Sequence, residues 1–172
     1  MVEEQIQYAF QCRIQYLNNS EGVTIVETSI PQDEADILIK TPKIRSDDVI
    51  YYFPSAGEKL NIPLISMDSR HNFILDIQRS NMGIMKVTYQ NRYRQVIPLI
   101  RIDFNGKPHR NPDHQEIPCT HIHYYRAGFD DKWAYPLPED TFTNHDDYWQ
   151  VLEDFYKVCT IEIPPHIQPG LS

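Results

Sequence analysis

Four of the seven histidines lie within fifteen consecutive positions, and this cluster is the clearest sign of a functional site in the sequence. One cysteine accompanies them, and the five residues in chain order are His109, His114, Cys119, His121 and His123. Histidine is the commonest metal-binding side chain and the usual general acid or base near neutral pH. The cluster therefore predicts a metal site, a proton-transfer site or, failing both, a polar strand face with structural histidines.

The spacing of His121 and His123 on an expected strand suits metal binding. Side chains two positions apart on a strand share a face, with Cα atoms about 6.7 Å apart, so both imidazoles can reach one Zn²⁺ through bonds of about 2 Å. Nitrogen and sulfur ligands favour zinc over magnesium or calcium. Cys119 can share an ion with His121 only if Pro118 interrupts the strand. The predicted zinc ligands, in order, are His121, His123, His109 and Cys119, with Asp103, Asp113 and His114 as further candidates for the remaining positions.

A metal-independent ribonuclease would use the same cluster. Cleavage of RNA needs a base for the 2′-hydroxyl, an acid for the leaving oxygen and a cation for the charge that develops on the phosphate. His121 or His123 could be the base, and His109 the acid. The predicted cation is Arg101, with Arg126 or Lys132 as alternatives. Two neighbouring rings that could stack a base are Tyr124 and Tyr125.

The elements that must position this cluster predict an α+β fold. Residues Ile6–Tyr16 alternate apolar and polar side chains, and Val23–Thr28 follow a turn signal, which indicates an N-terminal hairpin. Pro31 begins a short helix that ends at Pro42, and a second helix spans Asp146–Val158 with Asn144 as its expected N-cap. Six further strands are predicted: Val49–Phe53, Leu60–Ser66, Phe73–Gln78, Met85–Tyr89, Val96–Phe104 and Thr120–Tyr125. We expect a mostly antiparallel sheet with the C-terminal helix packed on it.

Alternation within the Val96–Phe104 strand places Arg101 and Asp103 on one face. If this strand pairs with the histidine strand, both side chains lie beside His121 and His123. The loop of residues 105–113 would then bring His109 over the same face. We expect one domain for residues 1–172, consisting of the hairpin (1–30), the α+β core (31–165) and an extended tail (166–172).

Composition narrows the classes of partner. The net charge is −8 with a pI near 5.3, whereas nucleic-acid binders usually carry a basic surface. An acidic protein suits a basic partner surface, and the acidic, aromatic segment of residues 129–149 could contact one. The polar run at residues 88–94 reads as a turn with surface cation–π packing, or as a contact for nucleic acid or an acidic protein.

The expected location is the cytoplasm. Three widely separated cysteines, an odd number, argue against a disulfide framework and fit reduced thiols. No apolar stretch approaches the roughly 20 residues that a membrane span needs. No signal peptide opens the chain.

Several segments resemble a small uncharacterised family of bacterial and phage domains. They are TYQNRYR (88–94), IRIDFNGKPHRNPD (100–113), CTHIHYYRAGFDDKWAYPLPED (119–140) and WQVLEDFYKVC (149–159), and the resemblance covers roughly residues 49–165. More distantly, an R-x-D strand, a PH loop and an HxH strand resemble the TumE-type toxins of bacterial toxin–antitoxin pairs. Both resemblances imply a phage or mobile-element setting, in which toxins and anti-CRISPR inhibitors are common.

We therefore expect a metal-binding, non-catalytic inhibitor that docks on a basic surface of a host defence protein such as a CRISPR effector. The alternative from another class is a histidine-dependent ribonuclease toxin, whose catalytic set would be His109, His121, His123 and Arg101. A structural interaction module is a second alternative. Nucleic acid is an expected partner only of the ribonuclease, and a membrane of none of these.

Overall fold

The computed structural model describes residues 14–19, 22–81 and 85–170, and its largest element is an eight-stranded sheet. The elements in chain order are β1 (Ile14–Asn19), β2 (Gly22–Glu27), α1 (Gln32–Lys40), β3 (Lys43–Arg45), β4 (Ile50–Tyr52), β5 (Lys59–Ser66), β6 (Asn72–Arg79), β7 (Val87–Tyr93), β8 (Ile97–Phe104), β9 (His109–Arg110), β10 (Glu116–Ile117), β11 (His121–Tyr124), β12 (Ala134–Pro136), α2 (Tyr148–Val158), β13 (Ile161–Ile163) and β14 (His166–Gln168). The predicted α+β class, with a mostly antiparallel sheet and two helices packed on it, is confirmed.

The large sheet has the strand order β12-β11-β8-β7-β6-β5-β3-β13. Neighbouring strands are antiparallel except β13 and β3, which are parallel. Three two-stranded pairs complete the fold: the hairpin β1–β2, the hairpin β9–β10 and the parallel pair β4–β14.

Strict alternation divides this sheet into an apolar face and a polar face. One row of paired residues crosses five strands as Leu60, Ile77, Tyr89, Ile102 and Ile122, and the last four are fully buried. The helices cover this face; the ring of Phe155 in α2, for example, lies 6.1 Å from that of Tyr89. Burying this row provides the hydrophobic driving force that holds the helices on the sheet.

The opposite face is polar, and its side chains follow the same pairing. One row runs Lys59, Gln78, Thr88, Asp103 and His121 across β5, β6, β7, β8 and β11. The next row runs Asn61, Asp76, Gln90, Arg101 and His123. The histidines therefore lie at one end of a polar sheet face that the two helices leave uncovered.

A buried lysine joins the C-terminal ends of both helices on the apolar side. The Nζ atom of Lys43 lies 2.8–3.1 Å from the carbonyl oxygens of Leu38, Ile39 and Thr41 at the end of α1, and 2.9 Å from that of Cys159 after α2. Helix C-termini carry unpaired carbonyls and partial negative charge, which favour a cation. Burial lowers the pKa of Lys43 to about 8, so the ammonium is present at neutral pH.

Three details differ from the sequence prediction. Strand β7 continues to Tyr93, whereas the sequence predicts a strand that ends at Tyr89 and favours a turn for residues 88–94; the reversal comes at Arg94, which has a positive φ of 53°. The N-cap of α2 is Asp147, whose carboxylate accepts from the Trp149 amide, and not Asn144. Residues 166–168 pair with β4 as a strand and are not a free tail. The predicted hairpin is present as β1–β2, while its residues 6–13 fall outside the described part of the chain.

Candidate metal centre

The two strand histidines occupy the register that alternation predicts. Strand β11 pairs antiparallel with β8, so that His121 lies opposite Asp103 and His123 opposite Arg101. Both histidines are buried, with 2% of the His121 side chain and 0% of the His123 side chain exposed. The two strands thus pair, which is the condition under which the sequence places Arg101 and Asp103 beside the two histidines.

The third histidine reaches the site from a loop that folds back over this face. His109 begins the short hairpin β9–β10, in which it pairs with Ile117. Asn111, next to this hairpin, is buried and exchanges two hydrogen bonds with Ala134 of β12: its amide nitrogen donates to the carbonyl at 3.0 Å, and its amide oxygen accepts from the backbone N–H at 2.8 Å. The Asn111 side chain thus pairs with the edge of the sheet as a strand backbone would, and it fixes the loop that carries His109.

The three imidazoles converge. Their ring centroids are 5.7 Å apart for His109 and His121, 4.7 Å for His109 and His123, and 4.9 Å for His121 and His123. One nitrogen from each ring lies within 4.8 Å of the other two, so the three could hold a single metal ion.

Backbone carbonyls fix the tautomer of each ring. A carbonyl oxygen can only accept, so the nitrogen facing it must carry the proton. His121 donates from Nδ1 to the Pro118 carbonyl at 2.9 Å, and His123 donates from Nδ1 to the Asp131 carbonyl at 2.8 Å. His109 donates from Nε2 to the Lys132 carbonyl at 2.9 Å. In each ring the other nitrogen keeps its lone pair, and this is the arrangement by which metal-binding histidines are usually oriented.

A carboxylate and a guanidinium share the site with these rings. Asp103 Oδ2 lies 3.6 Å from His121 Nε2, 3.3 Å from His123 Nε2 and 3.2 Å from Arg101 Nη2. Thr88 donates to the other carboxylate oxygen at 2.8 Å. Arg101 Nη2 also lies 3.0 Å from His123 Nε2, while its Nη1 pairs with the Asp131 carboxylate.

These contacts set the protonation states near neutral pH. Burial lowers the pKa of His123, Arg101 acts in the same direction, and Asp103 opposes them only in part. Burial by itself would raise the pKa of Asp103, but the Arg101 guanidinium and the hydrogen bond from Thr88 stabilise the ionised carboxylate and hold the pKa below its usual range. A neutral imidazole beside an ionised carboxylate is the donor set that a divalent cation needs.

The observed spacings fit a tetrahedral zinc ion with small adjustments. Bonds of about 2.0–2.1 Å place neighbouring ligand atoms of a tetrahedron roughly 3.3–3.4 Å apart. The two distances from Asp103 Oδ2 to His121 and His123, at 3.6 and 3.3 Å, are close to that value. The three histidine nitrogens lie within 4.8 Å of one another, so they must approach by at most about 1.5 Å to reach the spacing of a tetrahedron.

The structure separates the other predicted site residues from this group. Pro118 does lie outside the strands, but Cys119 is exposed and is not one of the three clustered ligands. Asp113 and His114 are exposed at the tip of the β9–β10 hairpin. Arg126 stacks on the Trp133 ring, 4.4 Å from its centroid, and so its guanidinium serves a different contact.

Sequence reasoning missed the groups that orient the ligands. The carbonyls of Pro118, Asp131 and Lys132 are backbone groups, so the types of the side chains do not predict them. The carboxylate of Asp131 pairs with Arg101, but two consecutive aspartates are typical of a solvent-exposed loop, so the sequence does not indicate this contact. The amide pairing of Asn111 with β12 likewise depends on a contact between residues 23 positions apart.

Comparison with known proteins gives a family but no activity. No curated protein and no solved structure matches the chain. Within the described residues, no helix is both long and apolar enough to cross a membrane. The family described as "Family of unknown function (DUF6978)" matches residues 30–161. This range includes α1, the polar sheet face, α2 and the histidine centre, which is the cluster of His109, His121 and His123. The chain belongs to this uncharacterised family.

Proposed function

We propose that His109, His121 and His123 bind one Zn²⁺ ion, and that the protein is a non-catalytic inhibitor stabilised by this ion. The observation that carries the zinc site is the convergence of three oriented rings: each donates one N–H to a backbone carbonyl and keeps a lone pair on its other nitrogen, and one nitrogen of each ring lies within 4.8 Å of the other two. Nitrogen ligands of this kind favour zinc over magnesium and calcium.

Burial favours a structural ion over a catalytic one. A catalytic zinc keeps one position open for water or substrate, whereas a structural zinc is closed by four protein ligands. His121 and His123 are almost inaccessible, and Asp103 lies where a fourth ligand would stand. The predicted consequence is an ion that holds the β8–β11 pair and the His109 loop together.

The inhibitor role is supported by the surface chemistry. The net charge is −8, and the connection before α2 exposes Glu139, Asp140, Asp146 and Asp147. The same part of the chain exposes the rings of Phe129 and Tyr135. Acidic side chains steer a protein toward a basic partner, and exposed aromatic rings supply contact area. We propose a basic surface of a host defence protein, such as the nucleic-acid channel of a CRISPR effector, as the partner, and the cytoplasm as the location.

Elemental analysis of protein purified without added metal tests the zinc site. We expect close to one equivalent of zinc in the wild type and a large loss in the double variant His121→Ala/His123→Ala. His71→Ala is the matched control, because His71 is a half-buried histidine that contacts Tyr93 instead of the cluster. A low zinc content that is the same in all three proteins contradicts the proposal.

Co-expression with CRISPR effectors during phage challenge tests the inhibitor role. We expect targeted phage to survive and the effector to co-purify with the protein. The variant Asp146→Asn/Asp147→Asn should weaken the complex, whereas the matched variant Asp33→Asn/Asp36→Asn, on the exposed face of α1, should not. Unimpaired immunity against every effector tested would refute this role.

One observation favours a ribonuclease as the second candidate. His123 is held neutral and accepts from Arg101, which pairs a general base with a cation. The burial of His123 argues against it, because a general base must come within hydrogen-bond reach of its substrate. Incubation with RNA in the presence of EDTA decides the matter: cleavage that disappears in His123→Ala would make the ribonuclease the primary function.

A further inference from the structure

Arg101 makes three polar contacts inside the histidine centre. Its Nη2 lies 3.0 Å from His123 Nε2 and 3.2 Å from Asp103 Oδ2, and its Nη1 pairs with the Asp131 carboxylate. The two hydrogens of Nη2 can therefore bridge the imidazole lone pair and the carboxylate at once.

A metal ion would need the same two acceptor atoms. His123 Nε2 is the nitrogen that remains after Nδ1 donates to the Asp131 carbonyl, and Asp103 Oδ2 is the oxygen nearest to both strand histidines. A lone pair cannot accept from a guanidinium and bind a metal in the same geometry. The positive guanidinium of Arg101 and a metal cation bound to the same two atoms would also repel each other strongly in a partly buried site.

We propose that Arg101 is a built-in competitor of the metal ion, and that zinc binding moves its Nη2 away from His123 and Asp103. This inference rests on the proposed zinc site. Asp103 Oδ2 then becomes the fourth zinc ligand beside His109, His121 and His123, and Arg101 keeps only its pairing with Asp131.

Three features make this movement possible. Arg101 is 23% exposed, so its side chain has a path toward solvent. Its Nε atom is buried without a hydrogen-bond partner among the described residues, and the present position therefore leaves one donor unsatisfied. Asp131 lies in the β11–β12 connection and is paired with Nη1, not Nη2, so it can retain the guanidinium after Nη2 has moved.

The position of Arg101 would set the zinc affinity through two opposing effects on Asp103. The guanidinium holds Asp103 ionised and in place, which prepares the fourth ligand, yet it must leave before the ligand can be used. Because Arg101 keeps its pairing with Asp131, the displaced guanidinium stays attached to the β11–β12 connection.

Zinc titration of the full chain at pH 8, with a chromophoric chelator as competitor, tests the inference. Arg101→Met removes the competing donor and should bind zinc at least about tenfold more tightly than the wild type, equivalent to about 1.4 kcal/mol. Arg101→Lys, whose single ammonium cannot bridge His123, Asp103 and Asp131 together, should fall between them. The control is Arg92→Met, which removes an arginine paired with Asp76 on the same sheet face but away from the histidines.

The outcomes separate this inference from the zinc proposal itself. Wild type and Arg101→Met binding zinc with equal affinity, or the variant binding more weakly, would overturn the competitor role and leave the zinc site standing. Binding by Arg101→Met alone would support the competitor role and refute zinc binding by the natural protein. Absence of binding in both would overturn both. Thermal melts of each variant in EDTA confirm that the titrated protein is folded.

Discussion

Zinc should raise the melting temperature of this protein by an amount that can be worked out in advance. An ion that binds only the native state stabilises it by about 2.7 kcal/mol when its free concentration is 100 times the dissociation constant. For a domain of 150–250 residues, each kcal/mol shifts the melting temperature by about 2–4 °C, so the expected rise is roughly 5–11 °C. Differential scanning fluorimetry with and without zinc measures it.

The variant His109→Ala should remove most of this rise at little intrinsic cost. His109 is half-buried, and its hydrogen bond to the Lys132 carbonyl is exposed, so losing that bond costs about 1 kcal/mol or less. If losing one ligand weakens binding about a hundredfold, the same zinc concentration contributes only about 0.4 kcal/mol, or roughly 1–2 °C.

The control for this experiment is His114→Ala, which removes an exposed histidine from the same hairpin. It should keep the full zinc-dependent rise. An unchanged rise in His109→Ala would refute the assignment of His109 as a ligand. Equal losses in both variants would mean that zinc binds the loop nonspecifically.

Three further predictions address the residues around the centre. Asn111→Ala should weaken zinc binding by about tenfold or more, because it frees the loop from Ala134; an unchanged affinity in the chelator assay would contradict this. Lys43→Met should lower the free energy of unfolding by about 3 kcal/mol in urea titrations, since it removes the donor that four helix-end carbonyls share; a loss below about 1 kcal/mol would count against that role. In EDTA, stability should fall as pH drops below about 6.5, because the unfolded chain protonates His123 before the folded protein does; His123→Gln should show a shallower fall.

Alternation along the strands is sufficient to predict the part of the histidine centre that lies on the sheet. Because side chains repeat every two residues on a strand, Arg101 and Asp103 had to share one face of β8, and His121 and His123 one face of β11. Pairing of neighbouring strands then sets them opposite each other, as the structure has them. Short-range rules suffice wherever an element has one buried face and one open face.

The same rule missed half of β7, where a polar side chain occupies an inward position. Tyr89, Asn91 and Tyr93 all point to the apolar side and are buried, while Thr88 and Gln90 face the polar side. Residues 87–93 alternate in sequence, but the polar Asn91 interrupts the apolar positions, so the sequence favours a turn there. Its amide donates at 3.4 Å to the Ile74 carbonyl on the neighbouring strand, a contact that only the assembled sheet provides.

The sequence does not predict the two C-terminal strands, β13 and β14, because their partners are far away in sequence. Strand β13 pairs with β3, and β14 pairs with β4, across more than a hundred residues. Each strand has three residues, too few for a periodic signal. Their pairing therefore depends on contacts that a local reading of the sequence does not contain.

The histidine centre depends both on the local spacing of its side chains and on contacts between residues far apart in sequence, so changes in either can weaken metal binding. Residue types and spacing supply the lone pairs, but three backbone carbonyls on two connections decide which nitrogen of each ring carries the proton. A substitution that shifts either connection therefore alters metal binding without touching a ligand. Asn111 ties the hairpin that carries His109 to Ala134, at the end of the β11–β12 connection, and Arg101 pairs with Asp131 in that same connection. Metal affinity should accordingly respond to variants at both positions, in opposite directions: weaker when the loop is released, stronger when the competing guanidinium is removed.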